Sequence, residues 1–200
     1  VVEATWATPG EDDGSPLLIG FNLSRIVRGE IASAPIAIFE DIASKVLGGN
    51  PSWRALLEVG MNTWRSHIDH SLNPDFLGYH GLAIRDVDGD GLEDLYLCQA
   101  GGLPNLLFRQ QADGTMVDVS ALAGVDWLDN STGALLVDLD NDRDPDLVVA
   151  TQSALLVMAN DGAGKFTLRA SHPEVGLGYS PTAADFDLDG DLDLLVLRYA

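Results

Sequence analysis

The chain has 200 residues, 46% hydrophobic and 21% charged, which is enough apolar matter for one domain with a sizeable core and too much for a disordered chain. Eleven lysines and arginines against 31 acidic residues leave a formal charge of -20, a balance that repels phosphate backbones and anionic headgroups and favours a divalent cation. No apolar run approaches the roughly 18 residues of a membrane-spanning helix, and the single cysteine, Cys98, excludes an internal disulfide framework and a thiolate zinc cluster.

In chain order, Val1 to Pro16 reads as a loop or tail, and Leu17-Leu-Ile-Gly-Phe21 as a strand. Ala37 to Leu47 predicts a short helix stopped by Gly48-Gly49. Asn50-Pro51 then supplies an N-cap and first residue for a second helix, whose Trp53, Leu56, Leu57, Met61 and Trp64 fall on one face. Such a stripe is core material, so these helices are expected to pack on the following structure or belong to a preceding domain. His67, Asp69 and His70 end that helix, and His80 follows. Two histidines three apart on a helix can share a metal, but no third ligand stands at zincin-like spacing, and histidines at a helix end are favoured by its dipole. Residues 1–78 are read as an N-terminal segment, and 79–200 as a different kind of structure.

Three nine-residue windows dominate the remainder: 86–94, 138–146 and 185–193. They hold 15 of the 31 acidic residues, with Arg143 the only base among them. Each has aspartate at positions one, three, five and nine, and their starts lie 52 and 47 residues apart, a repeat of about fifty residues. Short apolar runs precede the windows (81–84, 133–137, 181–184) and follow them (95–98, 147–150, 194–197), so each window joins two buried strands. Two more strands follow in each complete repeat: 105–108 with 115–119 across Ala112-Asp-Gly114, and 154–158 with 165–168 across Asp161-Gly-Ala-Gly164. Four strands per unit is the content of a propeller blade. The fold expected is mainly β, a partial β-propeller of four-stranded blades with a short α-helical N-terminal segment, containing two complete blades and the start of a third.

The alternation has a chemical reading. In a tightly wrapped loop, positions one, three and five aim carboxylates at one point, a glycine at six permits a left-handed reversal, position seven offers a backbone carbonyl, and position nine closes the cage. Carboxylates held about 5 Å apart at an effective dielectric near 20 repel by roughly 3 kcal/mol per pair, so such a loop calls for a cation. All-oxygen anionic ligation selects Ca²⁺ over Zn²⁺ and over the strictly octahedral Mg²⁺. The candidate ligands are therefore Asp86, Asp88, Asp90, Leu92 and Asp94; Asp138, Asp140, Asp142, Asp144 and Asp146; and Asp185, Asp187, Asp189, Asp191 and Asp193, for up to three ions. An EF-hand would need glutamate at position twelve, where Leu97, Val149 and Val196 stand inside strands. Arg143 replaces the glycine of the middle loop, making it the weakest site.

Residues 81–200 resemble the FG-GAP/VCBS-type repeats of integrin-α-like β-propellers, and in particular the group of cartilage acidic protein and the ASPIC/UnbV domain. Leu103-Pro-Asn-Leu-Leu-Phe108, Ala112-Asp-Gly-Thr115, Val117-Asp-Val-Ser120 and Ala123-Gly-Val125 resemble the segments between calcium loops in that group. The resemblance implies that the loop aspartates are the cation ligands. It also implies a seven-bladed ring whose remaining blades come from sequence outside this chain or from another chain.

The function expected is a calcium-braced interaction or adhesion module, secreted, periplasmic or on the cell surface, with a protein or carbohydrate ligand and no nucleic acid or membrane insertion. A propeller scaffold of a polysaccharide-active enzyme and a calcium sensor or buffer are the alternatives. No nucleophile elbow, P-loop or dinucleotide fingerprint is present, and Asn22-Leu-Ser24 and Asn130-Ser-Thr132 are formal glycosylation sequons.

Overall fold

A computed structural model describes residues 2–7, 17–23, 40–64, 66–68 and 81–198. The chain divides into two compact units, Val1–Glu40 and Asp41–Ala200. In the first, β1 (Val2–Ala7) pairs antiparallel with β2 (Leu17–Leu23), with a register shift between Thr5 and Trp6. The expectation of a loop over the first sixteen residues is thus corrected for Val2–Ala7. Its apolar-polar alternation, Val2-Glu-Ala-Thr-Trp6, is a strand pattern overshadowed by the Pro9-Gly10 and acidic run behind it.

The second unit begins with helical turns. The first, α1 (Ala43–Leu47), follows three non-helical residues, 40–42, and the Asp41 carboxylate accepts the Ala43 N–H at 2.9 Å at its entry; the part of the expected helix before residue 40 lies outside the described residues. The second expected helix is broken: a π-helical turn over Trp53–Leu57 is followed by α2 (Gly60–Trp64), and Gly60 sits at φ 67°, which no continuous right-handed helix admits. Asn50 does not cap this segment. Its amide nitrogen donates to the carbonyls of Leu47 (2.9 Å) and Met116 (2.8 Å), and its oxygen accepts the Asp118 N–H at 2.8 Å, so it ties the helical turn to a strand.

Three antiparallel sheets follow. The first is β3 (Leu82–Arg85), β4 (Asp94–Leu97), β5 (Leu106–Gln110) and β6 (Met116–Asp118), in that order, followed by the single turn α3 (Ser120–Ala123). The second is β7 (Ser131–Val137), β8 (Asp146–Thr151), β9 (Leu155–Asn160) and β10 (Phe166–His172), with β7 to β10 again consecutive. The third contains β11 (Gly178–Ala184) and β12 (Asp193–Arg198). The first strands of successive sheets lie side by side, β3 against β7 and β7 against β11. Bare backbone makes that approach: a Cβ on Gly81 would stand 2.6 Å from the Gly133 Cα, and one on Gly133 would stand 2.5 Å from the Tyr179 carbonyl oxygen. This is the expected mainly β, unclosed partial propeller with a short helical segment before it.

Strand alternation distributes each sheet's side chains between two neighbours. Tyr96 and Cys98 of the first sheet join Leu147, Val149, Leu156 and Met158 of the second in the largest core cluster. Val148 and Ala150, from the opposite face of the second sheet, meet Leu194 and Val196 of the third. The remaining face of the first sheet, with Leu95, Leu97, Leu106 and Phe108, is covered by Leu47, Trp53, Leu56 and Leu57, so the helical segment lies where the second and third sheets each receive a preceding sheet. On the third sheet, Leu195 and Leu197 are 50% and 63% exposed. Asn105, fully buried, fastens the first joint: its amide nitrogen donates to the Tyr96 hydroxyl (2.9 Å) and the Ser131 hydroxyl (2.8 Å), while its oxygen accepts the Gln99 N–H at 2.8 Å.

Candidate metal centres

The three acidic windows occupy equivalent places. Each bends the chain between the first and second strands of its sheet, and the strand pairs Arg85 with Asp94, Val137 with Asp146 and Ala184 with Asp193 close the three hairpins in one register. The bends are built from the carboxylate at position one. Asp86 accepts the N–H groups of Asp90 (3.2 Å) and Gly91 (2.8 Å), Asp138 those of Asp142 (3.1 Å) and Arg143 (2.9 Å), and Asp185 those of Asp189 and Gly190 (both 3.1 Å). The carboxylate at position five then accepts the N–H of position seven, from Leu92, Asp144 and Asp191, at 2.8, 3.0 and 3.0 Å. These wraps need left-handed backbone twice per loop. Position six has φ 86°, 81° and 99° at Gly91, Arg143 and Gly190; position four has 73°, 62° and 63° at Gly89, Asn141 and Leu188. Glycine marks the reversal at six in two of the three loops, whereas at four it occurs in the first loop alone.

The alternate carboxylates converge. Asp86, Asp88 and Asp90, then Asp138, Asp140 and Asp142, then Asp185, Asp187 and Asp193 each place one oxygen apiece within 4.8 Å of one another. Each cluster is all-oxygen and anionic and is positioned to chelate a Ca²⁺ ion, the metal such donors suit. Position nine enters the cluster only in the third loop, where Asp189 does not. In the first two loops it is buried, 1% exposed at both Asp94 and Asp146, and engaged with backbone. Asp94 accepts the N–H of Val87 at 3.0 Å and of Gln110 at 2.9 Å; Asp146 accepts those of Leu139 at 3.2 Å and Asn160 at 3.0 Å. Asp193 repeats the first of these bonds with Phe186, at 3.0 Å. In the first two loops position nine therefore ties its loop to the third strand of its own sheet. Burial raises the carboxyl pKa of Asp94 and of Asp146, against the lowering effect of those same N–H donors.

Three residues from strands distant in sequence stand beside the loops. Arg109 of β5 forms an ion pair with Asp88, and Arg169 of β10 forms one with Asp140 at 2.9 Å, so the carboxylate at position three of each loop with a complete sheet meets a guanidinium. Asn160 links two sheets through the first loop, its amide nitrogen donating to the Val87 carbonyl at 2.8 Å. Neither role leaves a local signal, because all three side chains reach the loops from strands distant in sequence. Asp144 points elsewhere: its carboxylate fills the place a Cβ on Gly162 would need.

The other singled-out residues do not form a second centre among the described residues. His67 is exposed and its Nδ1 lies 2.7 Å from the Thr63 carbonyl oxygen, a helix-end contact, while Asp69, His70 and His80 lie outside the described residues. Burial pushes the Cys98 thiol up to about 12. The sequon residue Asn130 is buried, with its side-chain oxygen unpaired. No described helix is long and apolar enough to cross a membrane.

Comparison with known proteins agrees with this geometry. The FG-GAP-like repeat family matches residues 86–149 and 138–196, each match running from one acidic loop through the second strand of the next sheet. Cartilage acidic protein 1 of Xenopus tropicalis is 30% identical over 132 residues, and that of Homo sapiens is 30% identical over 128, each alignment covering 60% of this chain. The chain matches 19% of the length of each of these relatives.

Proposed function

The chain belongs to the FG-GAP-like repeat family, and from that premise we propose that it is a section of a calcium-braced β-propeller that serves as an extracellular or cell-surface interaction module. The single observation that carries the reading is the recurrence of a three-carboxylate cluster, sharing positions one and three, at the first hairpin of all three sheets, which close in one register. In this reading the ligands are the carboxylates at positions one, three, five and nine with the position-seven carbonyls: Asp86, Asp88, Asp90, Leu92 and Asp94, and their counterparts at 138–146 and 185–193. An aspartate oxygen that accepts one N–H retains a lone pair for a cation, so the backbone bonds of position nine are compatible with ligation.

The ion is structural rather than catalytic. Each loop is clamped between paired strands, and binding to the folded state alone adds stability by mass action. Loops of this kind suit the calcium concentrations of extracellular fluid, and two relatives carry cartilage in their name. The apolar residues left open on the third sheet fit a further blade, and a protein or carbohydrate ligand would engage the finished array.

The test is a thermal melt in strong chelator and again with millimolar Ca²⁺. The expected outcome is a large fall in Tm on chelation that calcium restores and Mg²⁺ at the same concentration does not. An unchanged melt in chelator refutes the reading.

A further inference from the structure

Two arginines are placed where they oppose the ion. Arg109 and Arg169 come from different strands of their sheets, the third and the fourth, yet both end on the carboxylate at position three, Asp88 and Asp140. In the first loop the commitment is complete: one Asp88 oxygen meets Arg109 and the other accepts the Asp90 N–H at 3.3 Å. Arg109 also donates to the Ala163 carbonyl at 3.4 Å, so the same guanidinium touches the neighbouring sheet. Among the described residues, the third loop has no arginine on Asp187.

We propose that Arg109 and Arg169 are internal competitors of calcium that set the affinity of the first and second loops, an inference that rests on the calcium reading above. A guanidinium stays charged throughout the physiological pH range and matches a carboxylate in planar geometry, so it is a permanent one-charge occupant of a site built for two charges. A dication entering the cluster has to displace it from the position-three carboxylate or share that carboxylate against repulsion. Without the ion, the same contact neutralises one of three crowded carboxylates and keeps the loop wrapped. The two effects have opposite signs: removing the arginine tightens calcium binding and destabilises the chelated protein.

The experiment measures CaCl2 binding by titration calorimetry, with chelated Tm as a second readout, for wild type, Arg109→Gln, Arg169→Gln, Arg109→Lys and Arg85→Gln. Arg85 is the charge control, because it lines the cleft beside Asp86 without an ion pair to any loop carboxylate among the described residues. The expected result is that each glutamine variant tightens one class of site about fivefold, the factor that corresponds to a partly exposed pair of about 1 kcal/mol, and lowers the chelated Tm. Arg109→Lys keeps the charge and stays near wild type, and Arg85→Gln moves neither readout comparably. Unchanged or weaker binding in the glutamine variants overturns the proposal, as does an equal gain in Arg85→Gln. A wild-type protein that binds no calcium overturns the parent reading as well, and the wild-type titration alone reveals it.

Discussion

Replacing Asp94 with alanine separates the two jobs a carboxylate can have in these loops. Its two oxygens hold the N–H groups of Val87 and Gln110 at 3.0 and 2.9 Å, and the residue is 1% exposed, so water cannot fully replace what is lost. A buried N–H left without a partner costs about 1–3 kcal/mol, and two of them set a gross loss of roughly 2–6. The substitution also releases a carboxylate that burial disfavours, which brings the net loss to about 2–3 kcal/mol. At roughly 2–4 °C per kcal/mol for a chain of this size, Tm falls by about 4–12 °C. The decisive condition is chelator. There Asp94→Ala is expected to show this loss in full, whereas Asp88→Ala breaks a partly exposed ion pair and a long bond from the Asp90 N–H, which keeps Asp86 as an acceptor, and costs at most about 1 kcal/mol. Asp94→Asn, keeping one acceptor, falls between wild type and alanine. Equal melts for Asp94→Ala and wild type in chelator, or a deficit that appears only with calcium present, would refute the assignment of position nine to the sheet.

The inner joints are expected to be intolerant: Gly133→Ala drives a methyl into the Tyr179 carbonyl oxygen and the Pro181 ring at 2.5 and 2.8 Å, and a denaturant titration should show a loss of about 2–3 kcal/mol. Arg143→Gly and Leu188→Gly, at φ 81° and 63°, should each stabilise by about 1 kcal/mol in the same titration, and the reverse change Gly89→Ala, with open space around it, should cost about as much. The Asp94 and Asp146 carboxyls titrate above the ordinary 3.8 in the fold, so the folded protein binds more protons than the unfolded chain between 3.8 and the raised values. Their contribution is fully favourable below 3.8 and is lost as pH rises through that interval; chelated melts from pH ~3.5 to ~6 should therefore show the D94N/D146N double variant less pH-dependent than wild type. Cys98, with its thiol raised to about 12, should resist thiol reagents at neutral pH until the protein unfolds, and rapid native labelling would contradict its burial.

The fold was legible because two periodicities coincide in the sequence: aspartate at alternate positions within a window, and windows about fifty residues apart with apolar runs on both sides. Together they placed all ten strands of the three sheets, although β11 begins at Gly178, ahead of the Pro181 expected from its apolar run. What escaped is what depends on contacts across the chain. Nothing local shows that Asp94 is buried against a neighbouring strand while Asp90 stays exposed in the carboxylate cluster, since both are aspartates in one acidic run. Asn50 carries every mark of an N-cap, yet its amide bonds β6, 66 residues away, because the helical turn lies directly on that strand. Position four was missed because glycine marks it once, at Gly89, and an exposed leucine adopts the same φ at Leu188.

The fan of N–H groups around Asp86, Asp138 and Asp185 gives all three loops the same curvature from peptide dipoles. A cation arriving there meets a cup already formed and has little chain entropy to overcome. In the third loop, where no arginine stands on Asp187 among the described residues, capture should then be limited by stripping the ion's own hydration shell, a step calcium takes readily and magnesium reluctantly, so discrimination between the two would be kinetic as well as thermodynamic there.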